Sequence, residues 1–553
     1  MTVDQLAQEL LSEFLSLDPI NASMIGIEGY ESALPAFDEA AERASSERLD
    51  GLLDRSKTDT ATTESEQQTL DFISQTATNY RDALLVPSLE WTIGDFHGAP
   101  VASLLTSLPE LATDTPTRVE GYLERLHAIP SLLREAAHRH REGVARHHPG
   151  VRRLIGAAIA QLEVILDSPD LSGIARPDLG SEDTNARQAR LIAEEVRPAL
   201  VHYQQCLRDE LLESGRNDEH VGLCFIEDGL EYYSSFMRLH TSTLRSAREL
   251  HETGLQIIAQ VSDEFRAVGL RLWGLSDLGE IFARMREAPE LRYRSEEDVI
   301  ETARAAVRRA EKSAPQWFVN VPDEPCLVQA VPAAQQAGSA PAYYIPGALD
   351  GSRQGTFYIN ASQPTERFRH MAEAVAFHEA VPGHHFQITL GMQNTALPLA
   401  RRVIRDTASS EGWGLYAERL GEEMGLYSDD VARLGMLAAD AWRAGRLVVD
   451  TGMHALGWSR QQAVSWMTEF TPLAPLEIES EINRYITYPG QALSYMVGRL
   501  ELMRLREHAA GSLDSRFDLR AFHDFVLHVG ALPLGALSSA TERWIAAQQQ
   551  GAR

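Results

Sequence analysis

Apolar residues recur every three to four positions through most of the first 315 residues, as in TRVEGYLERLHAIPSLLREAAHRHREGVARH (117–147) and EDTNARQARLIAEEVRPALVHYQQCLRDELLES (182–214). That period predicts long amphipathic helices, and the Pro and Gly residues between them mark their turns. Between 316 and 361 the pattern changes to short β-prone pieces, WFVNVP, CLVQAVP, AYYIPG and GTFYINAS, which predict a small sheet. From 364 onward the helical period returns. No Ser/Gly-rich linker, low-complexity block or 20-to-50-residue repeat divides these parts. The pattern therefore predicts a mainly α protein, 1–553 forming one large unit. In it 1–315 is a helical scaffold lobe, and 316–553 carries the small sheet and the helices with the unusual polar motifs.

Composition narrows the chemistry. Lys plus Arg number 51 against 79 Asp plus Glu, a formal net charge of -28, and such a field repels phosphate backbones and anionic membrane surfaces. Nucleic acid and membrane are not expected partners. Lys57 and Lys312 are the two lysines of the chain, which leaves little material for Schiff-base chemistry. Cys206, Cys224 and Cys326 are too few and too scattered for a disulfide framework and fit a reducing compartment. The N-terminus, MTVDQLAQELLSEFLSLDP, has acids where a signal peptide needs bases and reads as an ordinary helix. The uncharged run from Phe525 is interrupted by Gly530, Pro533 and Gly535 and is too short to span a bilayer. A soluble, cytoplasmic protein is expected.

The stretch with the most chemistry is HEAVPGHHFQ, 378–387. In the zinc-peptidase motif H-E-x-x-H, two histidines four residues apart on one helix face bind the metal, and the Glu after the first acts on the attacking water. Here His378 and Glu379 are in place, but the second position is Pro382, which lacks an N–H and clashes with the carbonyl four residues back. A kink or bulge, eased by Gly383, would bring His384 to the missing position. His385 is the rival ligand. Two other histidine-bearing stretches serve as contrasts. RELHETGL has His251-Glu252 but no partner histidine, and HRHREGVARHH (138–148) sits among arginines and reads as a solvated basic helix face.

A site of this kind needs a third protein ligand. Glu411 in SSEGWGLYAERL is the best candidate, and Glu418, two turns later on the same face, would orient a ligating histidine. Farther on, EINRYITYPGQALSYMVGRLELMRLRE offers Tyr485 and Tyr488 to hydrogen-bond a developing oxyanion. Arg484 or Arg499 would clamp a carboxylate, and Tyr495 and His385 would also line the substrate site. Upstream, DGSRQGTFYIN reads as an edge strand able to pair with a substrate backbone, with Arg353 at its mouth. No G-x-S-x-G elbow, Walker A loop or G-x-G-x-x-G fingerprint supports another enzyme class.

HEAVPGHHFQ, SSEGWGLYAERLGEEMG and RYITYPGQALSYMVGR together resemble the bacterial domain-of-unknown-function 885 family, whose members are predicted zincin-like metallopeptidases. FLSLDPINASMIGI and DGSRQGTFYIN resemble it too, so the likeness covers nearly the whole chain. The resemblance implies a large helical zincin-like (gluzincin) fold, with a small β-sheet beside the active-site helix. That fold is distantly similar to the group of carboxypeptidase Taq, thimet oligopeptidase and angiotensin-converting enzyme. The Taq-type pattern H-E-S-Q-S-L-F-W-E is similar to SEGWGLYAE, which sets Glu411 on the zinc-binding Glu. The expected function is zinc-dependent hydrolysis of short peptides, carboxypeptidase or oligopeptidase in type. His378, His384 and Glu411 would hold one zinc ion, and Glu379 would be the general base. An amide hydrolase of non-peptide substrates and a non-catalytic peptide-binding protein on a degraded peptidase scaffold are the rival expectations.

Overall fold

The computed structural model describes residues 2–58, 61–96, 98–332, 336, 340–349, 351 and 353–550. Helices make up most of them, beside one three-stranded sheet. Local chemistry starts and stops the helices as the sequence implies. Helix α1 (Pro116–Ala145) begins with Thr115 accepting the Arg118 N–H and Pro116 in its first turn. Helix α2 (Ala247–Trp273) opens on a Ser246/Glu249 capping box and ends at Gly274 with φ +70°.

The segment holding HEAVPGHHFQ forms two short helices, α3 (Ala372–Glu379) and α4 (His384–Gln393). Behind them lie α5 (Thr407–Glu423), capped by Asp406, and α6 (Asp430–Leu456), capped by Asp429 and stopped by Gly457. Next come α7 (Pro475–Thr487) and α8 (Ser494–Leu513). α2 packs along α6, and α5 packs along α8. The second pair approaches closely because a Cβ on Gly412 would stand 2.4 Å from Gly498 Cα.

One buried cluster joins Leu6, Leu10 and Phe72 to Phe377, Trp413 and Leu537, so N-terminal helices share a core with the helices of the polar motifs. Each large apolar side chain fully buried there contributes roughly 1.5–3 kcal/mol. A second cluster runs from Ile20 through Leu123, Leu126 and Ile129 of α1 to Leu211. No helix among the described residues is long and apolar enough to cross a membrane.

Three expectations need correction. The stretch 138–148 is not a solvated face. Arg139 and His140 are buried, because this end of α1 packs against the segment around Leu89 and Glu90. His140 bridges the Leu89 carbonyl (2.8 Å) and the Tyr203 hydroxyl (2.9 Å), and Arg139 donates to the Phe37 carbonyl at 2.9 Å. WFVNVP forms no strand, since the carbonyls of Trp317 and Phe318 are taken by His523 and Arg520 side chains. The other three β-prone pieces give β1 (Leu327–Ala330), β2 (Ala342–Ile345) and β3 (Thr356–Ile359), in the order β1-β3-β2. DGSRQGTFYIN therefore supplies no edge strand. β3 is central, parallel to β1 and antiparallel to β2.

Candidate metal centre

The break in HEAVPGHHFQ is a full change of direction. α3 ends at Glu379, Ala380 leaves helical geometry (φ −109°, ψ −101°), and α4 starts at His384 after a cis Val381–Pro382 peptide. Gly383 is needed for proximity: a Cβ there would lie 1.9 Å from the His378 carbonyl oxygen. The turn is tied to α5 by the Trp413 indole N–H, which donates to the Pro382 carbonyl at 2.8 Å. Two helices meeting at this corner bring the rings of His378 and His384 to 4.7 Å between centroids, nearly perpendicular.

The two imidazoles face α5. Nε2 of His378 lies 3.4 Å from Glu411 Oε2, and Nε2 of His384 lies 3.3 Å from the same oxygen. One ligand atom from each of His378, His384 and Glu411 falls within a 4.8 Å cluster. Gly414 admits the first ring, for a Cβ there would stand 2.7 Å from His378 Nε2. On the far side of that ring, Nδ1 is 2.8 Å from Glu418 Oε1, and Glu418 is 1 % exposed. A carboxylate on Nδ1 fixes the tautomer and leaves Nε2 as the outward donor, the arrangement of a metal-ligating histidine.

The electrostatics of the cluster follow from its burial and its carboxylate–imidazole contacts. Burial opposes the charge of Glu411, but hydrogen bonds from His378 and His384 outweigh it and hold this carboxylate well below its usual range. Burial likewise disfavours the charged form of His378, yet Glu411 and Glu418 push it up to about 10. Glu379, next in the chain, is raised mainly by burial, and it forms no hydrogen bond with any described residue. Two imidazoles and one carboxylate are a donor set that fits a zinc ion of the catalytic kind.

The remaining predicted residues divide. His385 is not available as a ligand: its Nε2 lies 2.9 Å from the Glu324 carbonyl oxygen and its Nδ1 3.0 Å from the Tyr344 hydroxyl, so it anchors α4 to β2. Tyr485 makes no contact with His378, His384 or Glu411. It is 1 % exposed, its hydroxyl donates to Glu481 (2.7 Å) and accepts from Arg446 (2.9 Å) and Trp442 (3.1 Å). Tyr495 takes the neighbouring place, its ring stacked 6.2 Å from that of His378. Tyr488 lies against His240 (4.9 Å between rings), within the electrostatic reach of Tyr495 and Arg484. Arg499 is no clamp, because buried Asp440 holds it. Arg484 bonds Gln491 (2.6 Å), and Arg353 donates to the Pro346 carbonyl (3.1 Å), away from the histidines' contacts.

With this geometry in view, comparisons place the chain. The family model for a bacterial protein of unknown function, DUF885, matches residues 19–540. The chain belongs to that family. Among curated proteins none matches it. A crystal structure of a "putative lipoprotein" from Colwellia psychrerythraea aligns at a TM-score of 0.89 with 24% identity, over 99% of this chain and 100% of that one. A "putative lipoprotein of unknown function" from Shewanella oneidensis aligns at 0.76 with 18% identity, over 98% and 99%. At these identities the likeness speaks for the fold alone.

Sequence reasoning missed part of this DUF885 site. Arg443 and Arg446 of α6 stand beside Tyr495, their guanidinium carbons 5.8 and 4.5 Å from its ring centre. A signal was there: Asp440, Arg443, Arg446 and Asp450 recur at three- and four-residue steps through an otherwise apolar helix, AADAWRAGRLVVDTG. Charge on the stripe of a helix that is buried on nearly every side is a cost that function commonly explains.

Proposed function

We propose that this protein is a zinc-dependent peptidase of short peptides, built on a zincin-like helical fold. The observation that carries the reading is the convergence of His378, His384 and one Glu411 oxygen, with the Glu418 carboxylate on Nδ1 of His378. Zinc supplies Lewis acidity and makes water nucleophilic at neutral pH. His378, His384 and Glu411 hold it, and Glu418 keeps the first imidazole in its ligating orientation. Glu379, half-buried and with no side-chain hydrogen bond to a described residue, takes the proton of the attacking water on a carboxylate oxygen and returns it to the leaving amine. Burial raises its proton affinity, as a base that must later act as an acid requires. The Tyr495 hydroxyl, on the ring beside His378, donates to the developing oxyanion. Buried Arg443 adds positive charge on the same side.

The test combines metal analysis with turnover. Protein purified without added metal should carry about one zinc per chain. His384→Ala and Glu411→Ala should lose it, and His385→Ala should keep it. Glu379→Gln should retain zinc while peptide turnover falls about 10²–10⁴-fold. A chain that takes up no zinc when supplied, or a Glu379→Gln variant with full turnover, overturns the reading.

A further inference from the structure

The charged stripe on α6 is compensated at three of its four positions. Asp440 is held by Arg419 (2.5 Å) and by Arg499. Arg446 reaches Glu481 at 2.8 Å and the Tyr485 hydroxyl at 2.9 Å. Asp450 accepts from the Tyr233 hydroxyl at 2.5 Å and the Gly490 N–H at 3.2 Å. Arg443 is the exception. It is 7 % exposed, and its Nε and Nη1 are buried without a hydrogen-bond partner among the described residues. Its charge is felt by Glu379 and Glu477, yet neither carboxylate lies within ion-pair distance of it.

What surrounds the guanidinium orients it rather than neutralising it. It lies 4.2 Å over the Trp442 ring and 5.8 Å from the Tyr495 ring, and Tyr495 in turn stacks on His378. Cation–π contact holds a guanidinium in plane but leaves its N–H fork unsatisfied. A buried lysine in such a place would shed its proton, whereas arginine stays charged. Glu379 and Glu477 meet its charge only at a distance, so its N–H fork calls for a hydrogen-bonding anion that the described residues do not provide. The planar fork is matched best by a carboxylate taken bidentately.

We propose that Arg443 binds a carboxylate of the peptide substrate, so that this site favours peptides carrying a free C-terminal carboxylate or an acidic side chain near the cleaved bond. The proposal rests on the zinc-peptidase reading for its substrate class. Its structural basis is the unpartnered guanidinium itself. The net charge of -28 repels anions at long range, which makes a buried, prepositioned cation the feature able to select an anionic ligand. Arg446 and Arg484, in the electrostatic field around Glu481 and Tyr495, add to the positive character of this side.

Three matched peptides separate the possibilities: acetyl-tri-alanine as free acid, its C-terminal amide, and acetyl-Ala-Ala-Glu amide. Wild-type enzyme should prefer one of the two anionic peptides over the neutral amide by about 100-fold in kcat/KM, chiefly through KM. A preference for the free acid assigns the C-terminus, and one for the glutamyl amide assigns the side chain. Arg443→Gln should collapse the preference to a few-fold, and Arg443→Lys, whose buried amine would shed its proton, should restore little of it. Equal rates on all three peptides, or a preference that survives Arg443→Gln, overturns the proposal. Calorimetric binding of the same three peptides to Glu379→Gln protein does not depend on turnover. One of the two anionic peptides should bind at least 10-fold tighter than the neutral amide, and that difference should vanish in Glu379→Gln/Arg443→Gln. If no peptide is cleaved but the binding difference stands, the peptidase reading fails and the carboxylate site survives. Equal binding of all three peptides sinks the carboxylate site by itself.

Discussion

Two buried glutamates in this molecule do the same local thing with opposite consequences. Glu418 and Glu90 are each 1 % exposed, and each places a carboxylate oxygen against Nδ1 of a histidine, at 2.8 Å for His378 and 2.6 Å for His148. Around His148 the pair is closed off. The ring meets Trp91 and Tyr232 edge-on at 5.6 and 5.7 Å, and Arg146 takes the other oxygen of Glu90 at 2.7 Å. Around His378 the pair is open: Nε2 faces Glu411, and His384 faces the same oxygen. A carboxylate–imidazole pair is thus structural mortar where aromatic rings and a guanidinium complete it. It becomes a ligand support where the outer nitrogen converges with further donors.

The largest effect should come from removing the mortar. Glu90→Ala leaves His148 without its buried carboxylate partner, while Arg146 keeps Glu39 and Glu142, and should cost about 3 kcal/mol of stability, read as a lower midpoint in chemical denaturation. Zinc per folded chain should stay unchanged, and zinc loss there would erase the distinction between the two pairs. Glu418→Gln should do the reverse. Glutamine can still hydrogen-bond the ring but no longer raises its basicity, so zinc affinity should fall about 10–100-fold, measured by competition with a chelator. Unchanged affinity would reduce Glu418 to a packing residue.

Part of this contrast was legible in the sequence. Glu411 and Glu418 are seven residues apart on a helix, and that spacing alone puts them on one face. His378-Glu379 carries its chemistry in two letters. What spacing could not say is how a proline-broken motif turns. The choice of His384 over His385 depends on Tyr344 and the Glu324 carbonyl, 41 and 61 residues away from His385, occupying both of the latter's nitrogens. Tyr485 and Tyr495 read alike as letters, but the geometry of α7 against α6 puts Arg446 and Trp442 on the first, leaving the second to face His378. The predominance of helix and three of the four β-prone pieces followed from periodicity. The burial of His140 did not, because its partners Leu89 and Tyr203 lie in other segments.

Each histidine pair is also built against a glycine, which yields the smallest and most selective comparison. A Cβ on Gly143 would stand 2.7 Å from the Glu90 Cβ, and one on Gly414 would stand 2.7 Å from His378 Nε2. Both glycines lie inside helices, where alanine is intrinsically favoured by about 0.5–1 kcal/mol. Overpacking a tight contact costs about 1–3 kcal/mol, so each Gly→Ala change should destabilise the fold by a net of about 1 kcal/mol. The two should then diverge. Gly143→Ala presses on the Cβ and main-chain carbonyl of Glu90, and its zinc content should match that of the unaltered chain. Gly414→Ala displaces the nitrogen proposed to bind the metal, so its zinc affinity should drop at nearly equal fold stability. Equal zinc affinity in the two variants would mean that His378 Nε2 has room to move, and that the tight seat beside Gly414 is not what aims it at the metal.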